Sequence, residues 1–252
     1  MYYWRPSHKC YYVISEIHGN YRSLEVIFNS ILPLRKFKGQ EDIIVFLGDY
    51  IDKDEGSYDV INALVNLKHE YGDRVMCLRG NHEDALLRAL NGSEKDYQSW
   101  IDIGGQATIN SYLKARQFDS IAPNRLSDLF PQAHIEFLKT LPEKFIYEDY
   151  CFFHGGFDIN KPIAENSVDN FIYDYNLSRQ VKTMLRDEEP PQFQDEYIFV
   201  GAHNYKSKFP FIYQNYMMLG GSAPARLFIM ELNSMSISAV KRGKTRMYKY
   251  KL

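Results

Sequence analysis

Side chains able to bind a metal ion or move a proton recur in five short motifs of this 252-residue chain. They are Glu16 and His18 in SEIHGN, Asp49 and Asp52 in GDYID, Asn81 and His82 in GNHE, His154 in HGG, and His203 in GAHN. Four of the seven histidines fall in this series. A lone histidine beside glycine is an ordinary hydrogen-bonded turn residue. Five such motifs in succession, each following an apolar run, predict something else, because open α/β sheets bind ligands where parallel strands end.

The runs that lead into the motifs are short and rich in β-branched and aromatic residues, and polar groups or glycine close them. YYVIS (11–15), IIVFLG (43–48) and RVMCLRG (74–80) therefore read as buried strands. Between them Leu24, Ile27, Phe28 and Ile31 recur at helical spacing, as do Tyr58, Ile61, Leu64 and Val65. This β-α-β-α-β order predicts parallel strands joined by right-handed crossovers. Helices are expected from Glu83 to about Leu90, around Gln106 to Ala115, and in Pro131 to Leu141. The pattern then changes to strands with tight connections, KFIYED, YCFFHGG, EYIFVGAH, FIYQNYMMLGG, RLFIMEL, SISAVKRG and RMYKYKL, the last three forming an antiparallel meander. No linker divides the chain, so one α/β domain over 1–252 with a large mixed sheet or two stacked sheets is expected. Residues 158–194, which include EEPPQFQ, are the least patterned and are expected to form a surface cap or loop.

Composition excludes several classes of function. With 30 basic and 32 acidic residues there is no global positive field, so no nucleic-acid partner is expected. No apolar run approaches the roughly 20 residues that cross a bilayer, so no membrane partner is expected either. Cys10, Cys77 and Cys151 lack zinc-knuckle spacing and read as reduced, strand-borne small hydrophobes. The start MYYWRPSHKC lacks the pattern of a signal peptide, and a cytoplasmic location is the expectation. His8, His69 and His134 lie outside the motifs and are expected in solvent or turns, and the basic C-terminal run is expected on a solvated strand edge.

The series EIHGN, GDYIDK, GNHE, HGG and AHN, from about residue 10 onward, resembles the calcineurin-like metallophosphoesterases. Within them it is similar to the phosphoprotein phosphatases, with the pattern DxHG, GDxxDRG, GNHE, HGG and a late histidine. GGQATINSYL (104–113) also resembles the bacterial and phage branch, which includes diadenosine tetraphosphate hydrolases. The resemblance implies a β-sandwich of two mixed sheets flanked by helices, with two divalent metal ions at the strand ends. Such a pair, about 3.5–4 Å apart, activates one hydroxide and holds phosphate oxygens for in-line attack. By the same resemblance Asp49 bridges the ions, Glu16 and His18 complete the first, and Asn81, His154 and His203 complete the second. The donor set suits manganese, iron or zinc better than calcium. His82 becomes the proton donor to the leaving oxygen, oriented by Asp52. The implied substrate is a phosphorylated protein or a small phosphoester, and dinucleoside polyphosphates share the same centre.

Three positions depart from the family pattern. Glu16 replaces its first metal-binding aspartate and reaches one methylene further. Lys53 replaces an arginine that binds the substrate phosphate, supplying charge without the bidentate fork. In DNFIYDYNLSR (169–179), where bacterial relatives carry tryptophan and arginine, Arg179 is the candidate for the second phosphate contact. These departures leave open a second reading, a catalytically impaired scaffold that binds a phosphorylated partner. The single late histidine counts against the nucleases and phosphodiesterases of the same scaffold, which commonly show GHxH there.

Overall fold

Strands β1 (Tyr11–Ile14), β2 (Ile43–Phe46) and β3 (Val75–Cys77) pair side by side and parallel, with Tyr11 opposite Ile43 and Ile44 opposite Val75. The computed structural model describes residues 9–31, 42–90, 93–203, 209–220, 225–241 and 244–249. Helix α1 (Tyr21–Val26), continued by a π turn over Ile27–Ile31, follows β1, and α2 (Ser57–Tyr71) follows β2. Every residue of β2 is buried, as a strand covered on both faces requires.

Helices α3 (Asn81–Leu90), α4 (Glu94–Trp100), α5 (Gln106–Arg116) and α6 (Gln132–Lys139) come next. A second sheet then begins with β4 (Lys144–Tyr147) and β5 (Tyr150–Phe153). After helices α7 (Val168–Tyr173) and α8 (Leu177–Arg186) it takes up β6 (Ile198–Gly201), β7 (Phe211–Tyr213) and β8 (Tyr216–Met218). The chain returns to the first sheet as β9 (Leu227–Glu231), β10 (Ser236–Lys241) and β11 (Lys244–Lys249). The six-stranded sheet has the order β11-β10-β9-β1-β2-β3 and the five-stranded sheet β4-β5-β6-β8-β7.

Alternation along the strands sorts the apolar residues into layers. Val13, Val45, Phe152, Val200, Met217 and Met230 fill the space between the sheets. Ile14, Ile44 and Phe46 point the other way, onto Leu24, Ile61, Leu64, Trp100 and Tyr112 of the helices. Phe153, Phe199 and Met218 on the outer face of the second sheet meet Phe171, Leu177 and Val181 of α7 and α8. The result is helices, sheet, sheet, helices, and the expected sandwich and meander are both present.

Two expectations need adjustment. FIYQNYMMLGG is a hairpin and not one strand, because Gln214 turns through positive φ and the Asn215 side chain donates to Tyr197 O at 2.7 Å. His134 is buried on α6, where its Nδ1 lies 2.9 Å from the Tyr112 hydroxyl, and is not a solvated turn residue. His69 is exposed on α2, whereas His8 lies outside the described residues. β11 is an edge strand of the larger sheet. All three cysteines are free, and no helix among the described residues is long and apolar enough to cross a membrane.

Candidate metal and active site

The motif residues leave the ends of β1, β2, β3, β5 and β6 on one side of the sandwich, and the chain forces several of them into an unusual backbone shape. His18, Asp49, Asp52 and Lys53 all have positive φ, at 48°, 54°, 71° and 65°. For residues with a Cβ that region costs about 1–2 kcal/mol each, so the surroundings must hold it. Asp49 O accepts from the amides of Ile17 and His18 at 2.9 and 2.8 Å. The fully buried Glu83 carboxylate accepts from the amides of Asp49, Tyr50 and Gly80 at 2.8, 2.7 and 2.9 Å. Gly80 leaves room for this: a Cβ there would overlap Asp49.

The tautomers of the imidazoles follow from their partners. His18 Nδ1 faces Ile51 O at 3.0 Å, His154 Nδ1 faces Leu47 O at 2.6 Å, and His203 Nδ1 faces Asp174 O at 3.4 Å. A carbonyl oxygen only accepts, so each Nδ1 carries the proton and each Nε2 is left for the cluster. His82 differs, because its Nδ1 lies 2.7 Å from Asp52 Oδ2. Asp52 is fully buried and is itself held by Trp100 Nε1 at 3.0 Å and the Thr108 hydroxyl at 2.6 Å. Its amide donates to Thr108 Oγ1 and Ser57 Oγ.

Two compact donor groups share Asp49. Glu16, Asp49, His154 and His203 form one, and His18, Asp49 and His82 the other, with the ligand atoms of each group within 4.8 Å of one another and all residues buried. Asp49 Oδ1 lies 3.3 Å from His154 Nε2, and Oδ2 lies 3.3 Å from His18 Nε2. Asn81 Oδ1 is 3.1 Å from His154 Nε2, so its carbonyl faces the first group. This grouping differs from the expected one, which put Glu16 with His18. Alternation would point residues two apart the same way, but the left-handed turn at His18 breaks it. Glu16 Oε1 is instead 3.7 Å from His203 Nε2. His18 packs edge-on against His82, ring centroids 4.5 Å apart, with Lys53 Nζ 2.8 Å from its Nε2.

Burial and charge set the protonation of the cluster. Burial pushes His18 down to about 3 and His203 well below the ordinary imidazole range. Burial also opposes charge on His154, but the Asp49 carboxylate and its hydrogen bond outweigh it and raise this ring to about 9. His82 is likewise raised against its burial, by Asp49 and then by the bond to Asp52. Asp49 is held well below the carboxylate range, since His154, His82 and His18 overcome the burial that would raise it.

Several residues of the site gave no separate signal in the sequence. Glu83 was visible only as the last letter of GNHE. Ser57, Trp100 and Thr108 come from three helices and converge on Asp52. Asp174 and Tyr175 follow α7, and the Tyr175 ring stacks on His203 with centroids 4.0 Å apart. Arg179, expected at the substrate, is exposed on α8 of the same segment.

The donor set of the Glu16 group, two carboxylates, two imidazoles and a nearby amide oxygen, fits a divalent transition metal. Two glycines keep its space open, since a Cβ on Gly80 would overlap Asp49 and one on Gly220 would lie 2.7 Å from Glu16 Oε2. The His18 group fits less well, because His82 is committed to Asp52 and Lys53 is already on His18.

The family model for calcineurin-like phosphoesterases matches residues 11–219. The serine/threonine-protein phosphatase SIT4 of Candida albicans is 31% identical over 100 residues, covering 40% of this chain and 31% of that protein. A protein phosphatase 2A catalytic subunit from Dictyostelium discoideum is 34% identical over 82 residues, covering 32% and 24%. The chain thus matches under a third of the length of these curated relatives. A solved structure described as a diadenosine tetraphosphatase superposes with a TM-score of 0.62 at 18% identity, covering 93% of this chain and 94% of that one. A cold-active protein tyrosine phosphatase superposes with 0.59 at 14% identity, covering 96% and 79%. At these identities the superpositions show the shared fold.

Proposed function

Because the chain belongs to the calcineurin-like phosphoesterases, we propose that it hydrolyses phosphomonoesters at the cluster around Asp49, with a phosphorylated protein side chain as its substrate class. Glu16, Asp49, Asn81, His154 and His203 would hold a divalent ion, with manganese preferred and iron or zinc as alternatives. When bound, such an ion lowers the pKa of water and draws charge from the phosphate oxygens. His82 supplies the proton that the leaving oxygen needs, and Asp52 orients the ring and stabilises its charge. Lys53 has three N–H donors, so one on His18 leaves two for a phosphate oxygen. Residues 158–194 serve as the cap, through Asp174 and Tyr175 beside His203.

The observation that carries this reading is the pairing of His82 with Asp52. Among the four clustered rings, three are tied to backbone carbonyls, and His82 is tied to a buried carboxylate, which orients the ring and stabilises its charge as a proton donor requires. A scaffold that only bound a phosphorylated partner would not require a carboxylate braced by Trp100 and Thr108.

The test is hydrolysis of p-nitrophenyl phosphate by the purified chain with Mn2+, Fe2+ or Zn2+. His82→Ala is expected to lower the rate by roughly 10²–10⁴-fold, the usual worth of general acid catalysis, and Asp49→Asn to abolish it by removing the carboxylate that both donor groups share. Equal background rates in the wild type and both variants with every metal would defeat the proposal. Comparison with bis-p-nitrophenyl phosphate, a phosphopeptide and diadenosine tetraphosphate ranks the substrate classes.

A further inference from the structure

The His18 half of the site contains a cation of its own. Lys53 Nζ lies 2.8 Å from His18 Nε2, and the other ring nitrogen donates to Ile51 O at 3.0 Å. The lone pair on Nε2 therefore points at the ammonium. A divalent ion such as zinc would use that same lone pair at about 2.0–2.1 Å. Ion and ammonium exclude each other there.

Three further features build this contact into the fold. The backbone turns left-handed at both Asp52 and Lys53, which aims Lys53 back over the cluster from an exposed position. Lys53 N donates to Gly104 O at 3.4 Å, and Gly104, at φ 119°, lets the lysine stem approach closely: a Cβ there would come within 3.2 Å of Lys53 Cγ. Finally, Glu16 is placed with His203 and not with His18, so Asp49 is the one carboxylate among the donors of the His18 group. The remaining buried acids nearby are committed, Asp52 to His82, Trp100 and Thr108, and Glu83 to backbone amides.

We infer that the centre takes one divalent ion, in the Glu16–Asp49–His154–His203 group, and that the Lys53 ammonium occupies the place of the second at His18. This rests on the hydrolase reading above and sharpens it: Lys53 supplies fixed charge where a second metal would stand, and it faces the substrate phosphate with its remaining donors.

The experiment is Mn2+ titration of the full chain, followed by elemental analysis and by electron paramagnetic resonance. The wild type is expected to retain one Mn2+ per chain with the hyperfine pattern of an isolated ion. Lys53→Met, with Lys53→Gln as an independent second variant, is expected to gain a second binding step and the broadened spectrum of a coupled pair. Two coupled ions in the wild type would overturn the inference while leaving the hydrolase proposal intact. One ion in both variants would remove Lys53 as the excluding group and overturn it as well. No bound metal together with no turnover would end both proposals.

Discussion

Gly80→Ala tests the packing that places Asp49, and its effect can be worked from the geometry. A Cβ at Gly80 would overlap the Asp49 amide and Oδ1 and would stand 2.8 Å from Glu83 Oε2. That last contact is 0.6 Å inside the 3.4 Å limit of ordinary packing. Asp49 is the nearer neighbour and must yield further, by roughly 1 Å, a misplacement that can cost on the order of 10²-fold in rate. The same overlap should cost about 1–3 kcal/mol in stability, since Glu83 holds both turns and neither can move alone. Gly72→Ala is the control. Gly72, unlike Gly80, has positive φ, at 57°, and nothing lies within 4 Å of its added Cβ, so only backbone strain of about 1–3 kcal/mol is expected. The assay is kcat on p-nitrophenyl phosphate beside thermal unfolding for both variants. Equal kcat in the two, at equal loss of stability, would refute the claim that Gly80 sets the position of Asp49.

Thr108→Val removes a 2.6 Å donor from buried Asp52 and is expected to cost about 1.5–3 kcal/mol, the range for a bond to a charged group; unfolding in urea measures it, and kcat should fall with KM little changed. Tyr175→Ala removes a stacked ring from His203, worth about 0.5–1.5 kcal/mol. Calorimetry should accordingly show Mn2+ binding weakened by roughly two- to tenfold. His134 is lowered from 6.5 to about 4 by burial and then by Arg116, so the unfolded state takes up its proton first as pH falls. Its contribution is complete above the unfolded pKa and is lost as pH drops toward 4. Between pH 7 and 5 the loss should be roughly 2 kcal/mol, and His134→Gln should flatten that slope in urea titrations.

The sheets were legible in the sequence because strands covered on both faces must be continuously apolar, as β2 and β5 are, and because polar residues can only begin where cover ends. Each motif histidine and carboxylate was accordingly found at a strand end. Partnership within the cluster was not legible, because it depends on backbone angles that residue types do not announce. Glu16 and His18 sit two apart, and one left-handed residue sends them to different groups. Trp100 and Thr108 looked like ordinary helix residues. Their function exists only because α4 and α5 converge on Asp52, and no local pattern encodes that meeting. His134 looked exposed for a related reason, since its partner Tyr112 lies 22 positions away.

The same left-handed residues explain why the site needs so large a fold behind it. His18, Asp49, Asp52 and Lys53 together store several kcal/mol of backbone strain at about 1–2 kcal/mol each. An isolated loop would relax into the ordinary regions of φ and ψ and scatter the donors. Here relaxation is blocked from both sides: Asp49 O is tied to the turn after β1, and the Asp49 amide to Glu83 at the start of α3. Glu83 also holds the amides of Tyr50 and Gly80, so the turn after β2 and the turn after β3 move as one piece. Strain at one donor is thus opposed by contacts belonging to the others, which is how residues from five separate strand ends can keep fixed distances without a covalent link between them.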